Sequence, residues 1–337
     1  MNEIKKGWRW VPSLYFAEGL PYFAVTAISV ILYKRMGISN ADIALYTSWF
    51  YLPWVIKPFW SPIVDMLSTR RVWIVATQLL MGACLASIAF TIPLSSFLQW
   101  TLCFFWLMAF SSATHDIAAD GFYMLGLGEE GQSFFAGIRS TFYRIATIFG
   151  QGILIYLAGK LEVVTQNIAL AWSVTFGILC ALLLLLGLYH NRALPRPASD
   201  VSRNVSGIKE AFASFGKIIS TYFKKPDIVP ALLFMLFFRL PEAQLVKLIN
   251  PFLMDARADG GLAMTTEQIG ITYGTLGVIG LIAGGIIGRV GSGLLETVFL
   301  LVTVDMLAWN GNVMKLITSV LVVILNYVAS KLLVFKK

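Results

Sequence analysis

The stretch Ser111-Ser112-Ala113-Thr114-His115-Asp116-Ile117-Ala118-Ala119-Asp120-Gly121-Phe122-Tyr123 lies near the end of an apolar segment running from Leu98 to Leu125. Residues four apart share one face of a helix, so Asp116 and Asp120 project together. A carboxylate facing lipid at mid-membrane costs roughly 2.5 kcal/mol or more even on the lenient insertion scale, and such groups normally face a protein interior or a water path. One face of this helix is therefore built to meet polar matter inside a membrane protein. The pattern points to transport.

The rest of the chain places that segment in an all-α polytopic membrane protein. Of its 337 residues 58% are hydrophobic and only 13% charged, and the mean hydropathy is +0.76. Soluble domains carry about twice that share of charge. A helix needs about 20 apolar residues to cross the hydrocarbon core. About ten runs serve, at 11–33, 42–64, 72–93, 98–125, 134–158, 166–189, 228–253, 266–288, 293–309 and 313–333. None alternates with the period of two that a barrel strand requires. The first run is too long for a signal peptide and has no small-residue cleavage site, so none is expected.

Lys and Arg in short loops set orientation. Lys5, Lys6, Arg9, Arg70, Arg71, Lys336, Lys337 and the basic loop 190–227 share one side, which makes both termini cytoplasmic. The net charge of +8 is thereby a topology signal, and nucleic acid is not an expected partner. Cys84, Cys103 and Cys180 fall inside spans without paired spacing, and there are only two histidines, so neither a metal site nor a cofactor is expected.

The loop 190–227 divides the chain, and its section Lys209–Phe223 reads either as an amphipathic helix on the membrane or as a solvated linker. A weak repeat crosses the divide: Phe16-Ala17-Glu18-Gly19-Leu20-Pro21 in the first span, Phe237-Phe238-Arg239-Leu240-Pro241-Glu242 in the seventh. Each is followed by a helix-start pattern, Ser39-Asn40-Ala41-Asp42 and Thr265-Thr266-Glu267-Gln268. Charged, Pro-interrupted spans at matching places in two halves are the best sequence pointer to a transporter site. Span eight carries Gly270, Gly274, Gly277, Gly280, Gly284, Gly285 and Gly288, small residues that let helices approach closely.

Asp116-Ile117-Ala118-Ala119-Asp120-Gly121 after Ser111-Ser112-Ala113-Thr114 resembles the fourth-helix signature of AmpG-like transporters, in the peptide, acetyl-CoA and drug branch of the major facilitator superfamily. Ala17-Glu18-Gly19-Leu20-Pro21 resembles that family's first helix, and Lys57-Pro58-Phe59-Trp60-Ser61-Pro62-Ile63-Val64-Asp65 the end of its second. Arg70-Arg71 with Trp73, and Tyr143-Arg144, are similar to its cytoplasmic turn and its fifth helix. The resemblance covers about residues 8–288, while the tail from about 292 resembles the last two helices of GtrA-like proteins. It implies a six-helix bundle over 1–190, a basic cytoplasmic linker over 191–226, the first two helices of an incomplete second bundle over 227–290, and a GtrA-like hairpin over 291–337.

The implied function is a proton-coupled symporter, not an enzyme, that imports anhydro-muropeptides or a related anionic solute across the bacterial inner membrane. Its partners are the solute, protons and the bilayer. Two alternatives stay open: a transport-incompetent truncated or fused membrane protein, and an acetyl-CoA-type transporter. Glu18, Asp116 and Asp120 are the proton-coupling candidates, each of which can equally be a structural group with a paired cation. Tyr22, Lys57, Arg144, Gln151, Arg239 and Glu242 are the substrate-binding candidates; the planar fork of Arg144 suits a carboxylate or phosphate. Asp65, Arg70 and Arg71 are the gating candidates. Arg139 is expected to snorkel to the interface. His115 is expected to be an interior histidine satisfied by a neighbour.

Overall fold

The computed structural model describes residues 2–201, 220–221, 223–225, 228–306, 309–310, 314–315 and 317–318. Every regular element in them is helical. A short α1 (Asn2–Gly7) precedes α2 (Val11–Phe23), which opens with Pro12 in the first turn, where a missing donor does no harm. Pro21, inside α2, cannot donate a ladder bond, and the chain continues through a π-helical turn over Ala24–Ile28 into α3 (Ser29–Arg35). Hydroxyls serve the carbonyls of that distorted stretch. Thr26 donates to the Tyr22 carbonyl at 2.8 Å and Ser29 to that of Val25 at 2.5 Å.

The run expected as one span over 42–64 is broken. It forms α4 (Asn40–Ser48), a 3₁₀ turn over Trp49–Tyr51, α5 (Leu52–Ile56), a second 3₁₀ turn over Lys57–Phe59, and α6 (Ser61–Leu67). Pro53, Pro58 and Pro62 each stand at the start of one of these pieces, the position proline tolerates, so each restarts the helix instead of continuing it. Four long elements follow without such breaks: α7 (Arg70–Thr91), α8 (Phe97–Gly126), α9 (Glu129–Thr147) and, after a π-helical turn over Ile148–Leu154, α10 (Ile155–Thr165). α11 (Ile168–Ala193) is capped by Asn167, whose Oδ1 accepts from the Leu170 amide at 3.0 Å.

Beyond the linker lie α12 (Ile228–Met254), α13 (Thr266–Ile269) with a complete Thr265–Gln268 capping box, a π-helical turn over Gly270–Gly277, and α14 (Val278–Leu300). The spans expected at 266–288 and 293–309 are not separated. α14 is continuous through 288–293, because Gly lowers helix propensity by only about 1 kcal/mol each and no Pro is present to end the helix. The span expected at 313–333 and the segment Lys209–Phe223 fall largely outside the described residues.

Among the described residues five helical stretches are long and apolar enough to cross a membrane, Ile4–Arg35, Arg70–Thr91, Phe97–Gly126, Glu129–Thr165 and Ile168–Ala193, with a shorter apolar helix over Ile228–Phe238. They match the expected first, third, fourth, fifth and sixth spans, and the expectation of ten exceeds what these residues show. The chain forms two compact units, Met1–Thr275 and Leu276–Lys337. Within the first, α7 packs on α8 and α11, and α2 packs on α8 and α9. Two apolar clusters fill it, one around Leu20, Ile31, Phe50, Phe105 and Phe176, the other around Trp10, Leu14, Phe122 and Phe135. In the second unit, α14 runs into a π-helical turn over Leu301–Met306, where Thr303 donates to the Phe299 carbonyl at 2.7 Å.

Candidate functional site

Packing of α2 against α8 and α9 brings the polar groups of three helices together. A cavity of about 440 Å³ is lined by Tyr15 and Glu18 of α2, Asp120 of α8, and Arg139, Tyr143 and Arg144 of α9. Asp120 is held from two directions. Its Oδ1 accepts from the Tyr15 hydroxyl and from Arg139 Nη1, both at 3.2 Å. The same Arg139 nitrogen also donates to the Tyr15 oxygen at 3.2 Å, and the guanidinium lies over the Tyr15 and Tyr123 rings, 5.4 and 5.0 Å from their centroids. Arg139 therefore belongs to the site. Its side chain stays 40% exposed while it makes these contacts, so its head remains within reach of solvent as well as of Asp120.

Asp116, one turn earlier on α8, forms an ion pair with Lys57, which the second 3₁₀ turn of the broken second run delivers to it. Lys57 is thus a partner of Asp116 and does not line the cavity. Glu18 lies within electrostatic reach of Asp116, Asp120 and Lys57. Its Oε2 is enclosed and has no hydrogen-bond partner among the described residues. Arg144 is the complement of that vacancy: an exposed guanidinium on the cavity wall with no ion pair among the described residues. The wall thus carries two carboxyl groups, Glu18 and the Arg139-paired Asp120, and one arginine, Arg144, without an ion pair among the described residues.

The other candidates scatter more widely. Tyr22 lines a second cavity and packs edge-on against Phe23 and Trp54. Gln151 sits in the π-helical turn after α9, where its carbonyl meets Gly274, and it is not on the wall of the Glu18 cavity. The side chains of Asp65, Arg239 and Glu242 lie outside the described residues. The backbone amides of Arg70 and Arg71 donate to the two oxygens of Asp200 at 2.8 and 3.1 Å, and the Arg71 guanidinium reaches the Asn191 carbonyl. Arg70 extends its guanidinium over Gly121, where any β-carbon would overlap it, so the turn before α7 is tied both to the end of α11 and to α8 beside Asp120.

His115 faces away from the carboxylates. Its Nε2 is 2.9 Å from Gln78 Nε2, while Gln78 Oε1 is 2.9 Å from His190 Nδ1 and His190 Nε2 is 3.0 Å from the Ser13 hydroxyl. This buried chain joins α8, α7, α11 and α2.

Sequence reasoning missed a second polar cluster at the other end of α2–α3. Lys34 pairs with Asp255, which also accepts from Asn40 Nδ2 at 2.8 Å. Arg35 grips Glu162 with Nε at 3.1 and 3.0 Å from the two carboxylate oxygens, and Glu162 also accepts from Trp172 Nε1 at 2.8 Å and the Thr266 hydroxyl at 3.1 Å. Lys160 pairs with Glu267 at 3.0 Å. The hydrogen bond from Lys34 to Asp255, aided by that from Asn40, holds this loop carboxyl below its ordinary value of 3.8. Beneath these pairs, Gly274 abuts the backbone of Gln151 and Gly152, and Gly270 that of Tyr156, close approaches only glycine permits. The available signal was charge at span ends, which reads equally well as topology.

Apolar helices thus pack around an open, charged cavity. The Major Facilitator Superfamily profile matches residues 13–329, and the chain belongs to that superfamily, whose members are transporters and not enzymes. The match continues across residues 292–329, where a GtrA-like tail was expected. The chain is similar to the putative transporter AmpG 4 of Rickettsia conorii, 26% identical over 82% of this chain and 65% of the relative. It is equally similar to the anhydromuropeptide permease of Escherichia coli K12, 26% identical over 82% of this chain and 53% of the relative. The chain thus spans between about half and two thirds of the length of these relatives. A bacterial homologue of the human lysosomal transporter Spinster, solved inward-facing and unoccupied, shares the fold with a TM-score of 0.57 at 18% identity, over 88% of this chain and 62% of that one.

Proposed function

We propose that the chain is a proton-coupled secondary transporter that takes up anhydro-muropeptides or a related anionic solute across the bacterial inner membrane, with both termini cytoplasmic. The observation that carries this reading is the cavity in which Arg144 has no counter-ion and Glu18 Oε2 has no donor among the described residues. A solute carboxylate on Arg144 forms the forked, charge-assisted contact that a guanidinium favours. It also brings a negative charge beside Glu18 and Asp120, and a proton entering with it offsets that repulsion. Coupling follows from this balance. Glu18, Asp116 and Asp120 hold the proton, with Lys57 and Arg139 fixing the two aspartates. The similarity to an anhydromuropeptide permease supports the substrate class, and basic residues at span ends support the orientation. The four-part organisation over 1–190, 191–226, 227–290 and 291–337 and the gating role of Asp65, Arg70 and Arg71 belong to the same proposal.

The test is uptake of a radiolabelled anhydro-muropeptide by the full chain in proteoliposomes. The proposal expects uptake that Arg144→Gln reduces at least tenfold while Arg144→Lys retains part of it. Uptake indifferent to Arg144→Gln removes the substrate site from this cavity. No uptake of anhydro-muropeptide or acetyl-CoA favours the transport-incompetent reading.

A further inference from the structure

A second cavity, of about 640 Å³, opens between α2, α4 and α12 within the same compact unit, with Tyr22, Ser48, Tyr51, Leu240, Gln244 and Lys247 on its wall. Lys247 is its charged group. The ammonium donates to the Thr47 hydroxyl at 2.9 Å and lies 4.8 Å from the centroid of the Tyr51 ring. Among the described residues no carboxylate pairs with it. A half-buried ammonium held only by a hydroxyl and an aromatic face is incompletely compensated, and charges at membrane depth are normally paired or face a solute path. The partner groups here are those that orient a cation: one hydroxyl fixes one N–H and one ring covers one side, and among the described residues no further acceptor takes the remaining donors.

The position of this cavity relative to the Glu18 cavity follows from one helix. Glu18 lines the first cavity and Tyr22 the second, and the two residues are four apart on α2. They share a face, and their backbones are about 6 Å apart along the axis at 1.5 Å per residue. An aromatic row bridges the step: Tyr22 meets Phe23 at 5.3 Å between centroids, and Phe23 meets Tyr143 of the first cavity at 5.6 Å. Two cavities, each with one cation that no carboxylate pairs with among the described residues, thus stand side by side along one face of the first membrane helix.

We infer that the two cavities are the two ends of one binding site, in which Arg144 and Lys247 each take an acidic group of the same elongated solute. This rests on the transport reading and narrows it to solutes carrying at least two carboxylate-type groups separated by more than one helical turn. Between those groups the solute presents hydroxyl or amide functions to Tyr22, Ser48 and Gln244. A monoacid occupies only half of such a site.

The experiment is equilibrium binding to the full chain in detergent. One probe is 1,6-anhydro-N-acetylmuramyl-L-alanyl-γ-D-glutamyl-L-alanine, whose glutamyl and C-terminal carboxylates stand on either side of an amide; the other is its C-terminal mono-amide. The wild-type chain is expected to bind the diacid about tenfold more tightly. Lys247→Gln is expected to bring the diacid down to the affinity of the mono-amide, leave the mono-amide within twofold, and leave the melting temperature close to wild type; Lys247→Arg is expected to keep the preference. A preference that survives Lys247→Gln overturns the two-point site and leaves the transport reading standing. Equal weakening of both probes overturns it in favour of Lys247 as a tie between α12 and α4. Failure of the wild-type chain to bind either probe takes down the transport reading for this solute class, and the two-point site with it.

Discussion

Asp116 and Asp120 are one helical turn apart, yet they answer to different parts of the chain, one to Lys57 and the other to Arg139 and Tyr15. Removing one member of a paired, poorly solvated charge couple leaves the other uncompensated, at a cost of about 3 kcal/mol or more, whereas removing both is far milder. Lys57→Met is therefore expected to lower thermal stability in detergent, and Lys57→Met with Asp116→Asn to recover most of the loss. The coupling between the two substitutions is expected at about 1–3 kcal/mol. Additive losses would show that the ion pair contributes nothing. Asp120→Asn keeps the shape of the Tyr15 and Arg139 contacts but removes the charge. It is expected to abolish the stimulation of uptake by an inward proton gradient while keeping the melting temperature near wild type; undiminished stimulation would assign Asp120 to bracing alone. That these carboxylates turn inward was legible in the chain, since i and i+4 positions share a face. Their partners were not. Arg139 lies about three turns into α9, and a helix position gives no indication of whether a long side chain runs inward or out to the interface.

At the scale of elements, the long uninterrupted helices were read correctly, because runs such as 98–125 contain neither proline nor strong breakers. The second run was misread as continuous. Hydropathy counts apolar residues and is blind to three prolines that restart the helix, and those restarts are what present Lys57 to α8. The glycine pattern of the eighth run was legible as close packing, and Gly270 and Gly274 indeed touch the backbone of the segment around Gln151 and Tyr156. Gly274→Leu is expected to destabilise the chain by about 1–3 kcal/mol, the usual penalty for overpacking. Thermal melts check this, and a wild-type melting temperature would contradict the contact. The loop carboxyl Asp255 gives a pH signature. Its value is depressed in the folded chain by Lys34 and Asn40, so its contribution is present above the ordinary carboxylate range and is softened by solvent screening. It is lost as pH falls below about 4 through the depressed folded value. The stability difference between wild type and Asp255→Asn is thus expected to be constant near neutrality and to shrink on acidification below the ordinary carboxylate range. A difference that grows on acidification would contradict the pairing.

For the whole molecule, the superfamily fold accounts for both polar clusters of the first unit: one set of charges lines an open cavity, and another ties α3 and α10 to the segments around Asp255 and Thr266. Sequence reasoning reached the class because buried acids, span lengths and loop charges are properties of composition and spacing. It marked Tyr22 and the seventh span, Lys247 included, as candidates but did not join them in the second cavity, whose walls come from residues 22–51 and 236–248 and meet only through tertiary packing. The central claim is that solute and proton share the space between Glu18, Asp120 and Arg144. Its most direct test is simultaneous recording of anhydro-muropeptide uptake and internal pH in proteoliposomes of the full chain. Solute entry accompanied by internal acidification, with both lost together in Glu18→Gln, is the predicted result. Solute entry at the wild-type rate in Glu18→Gln with unchanged acidification would contradict it.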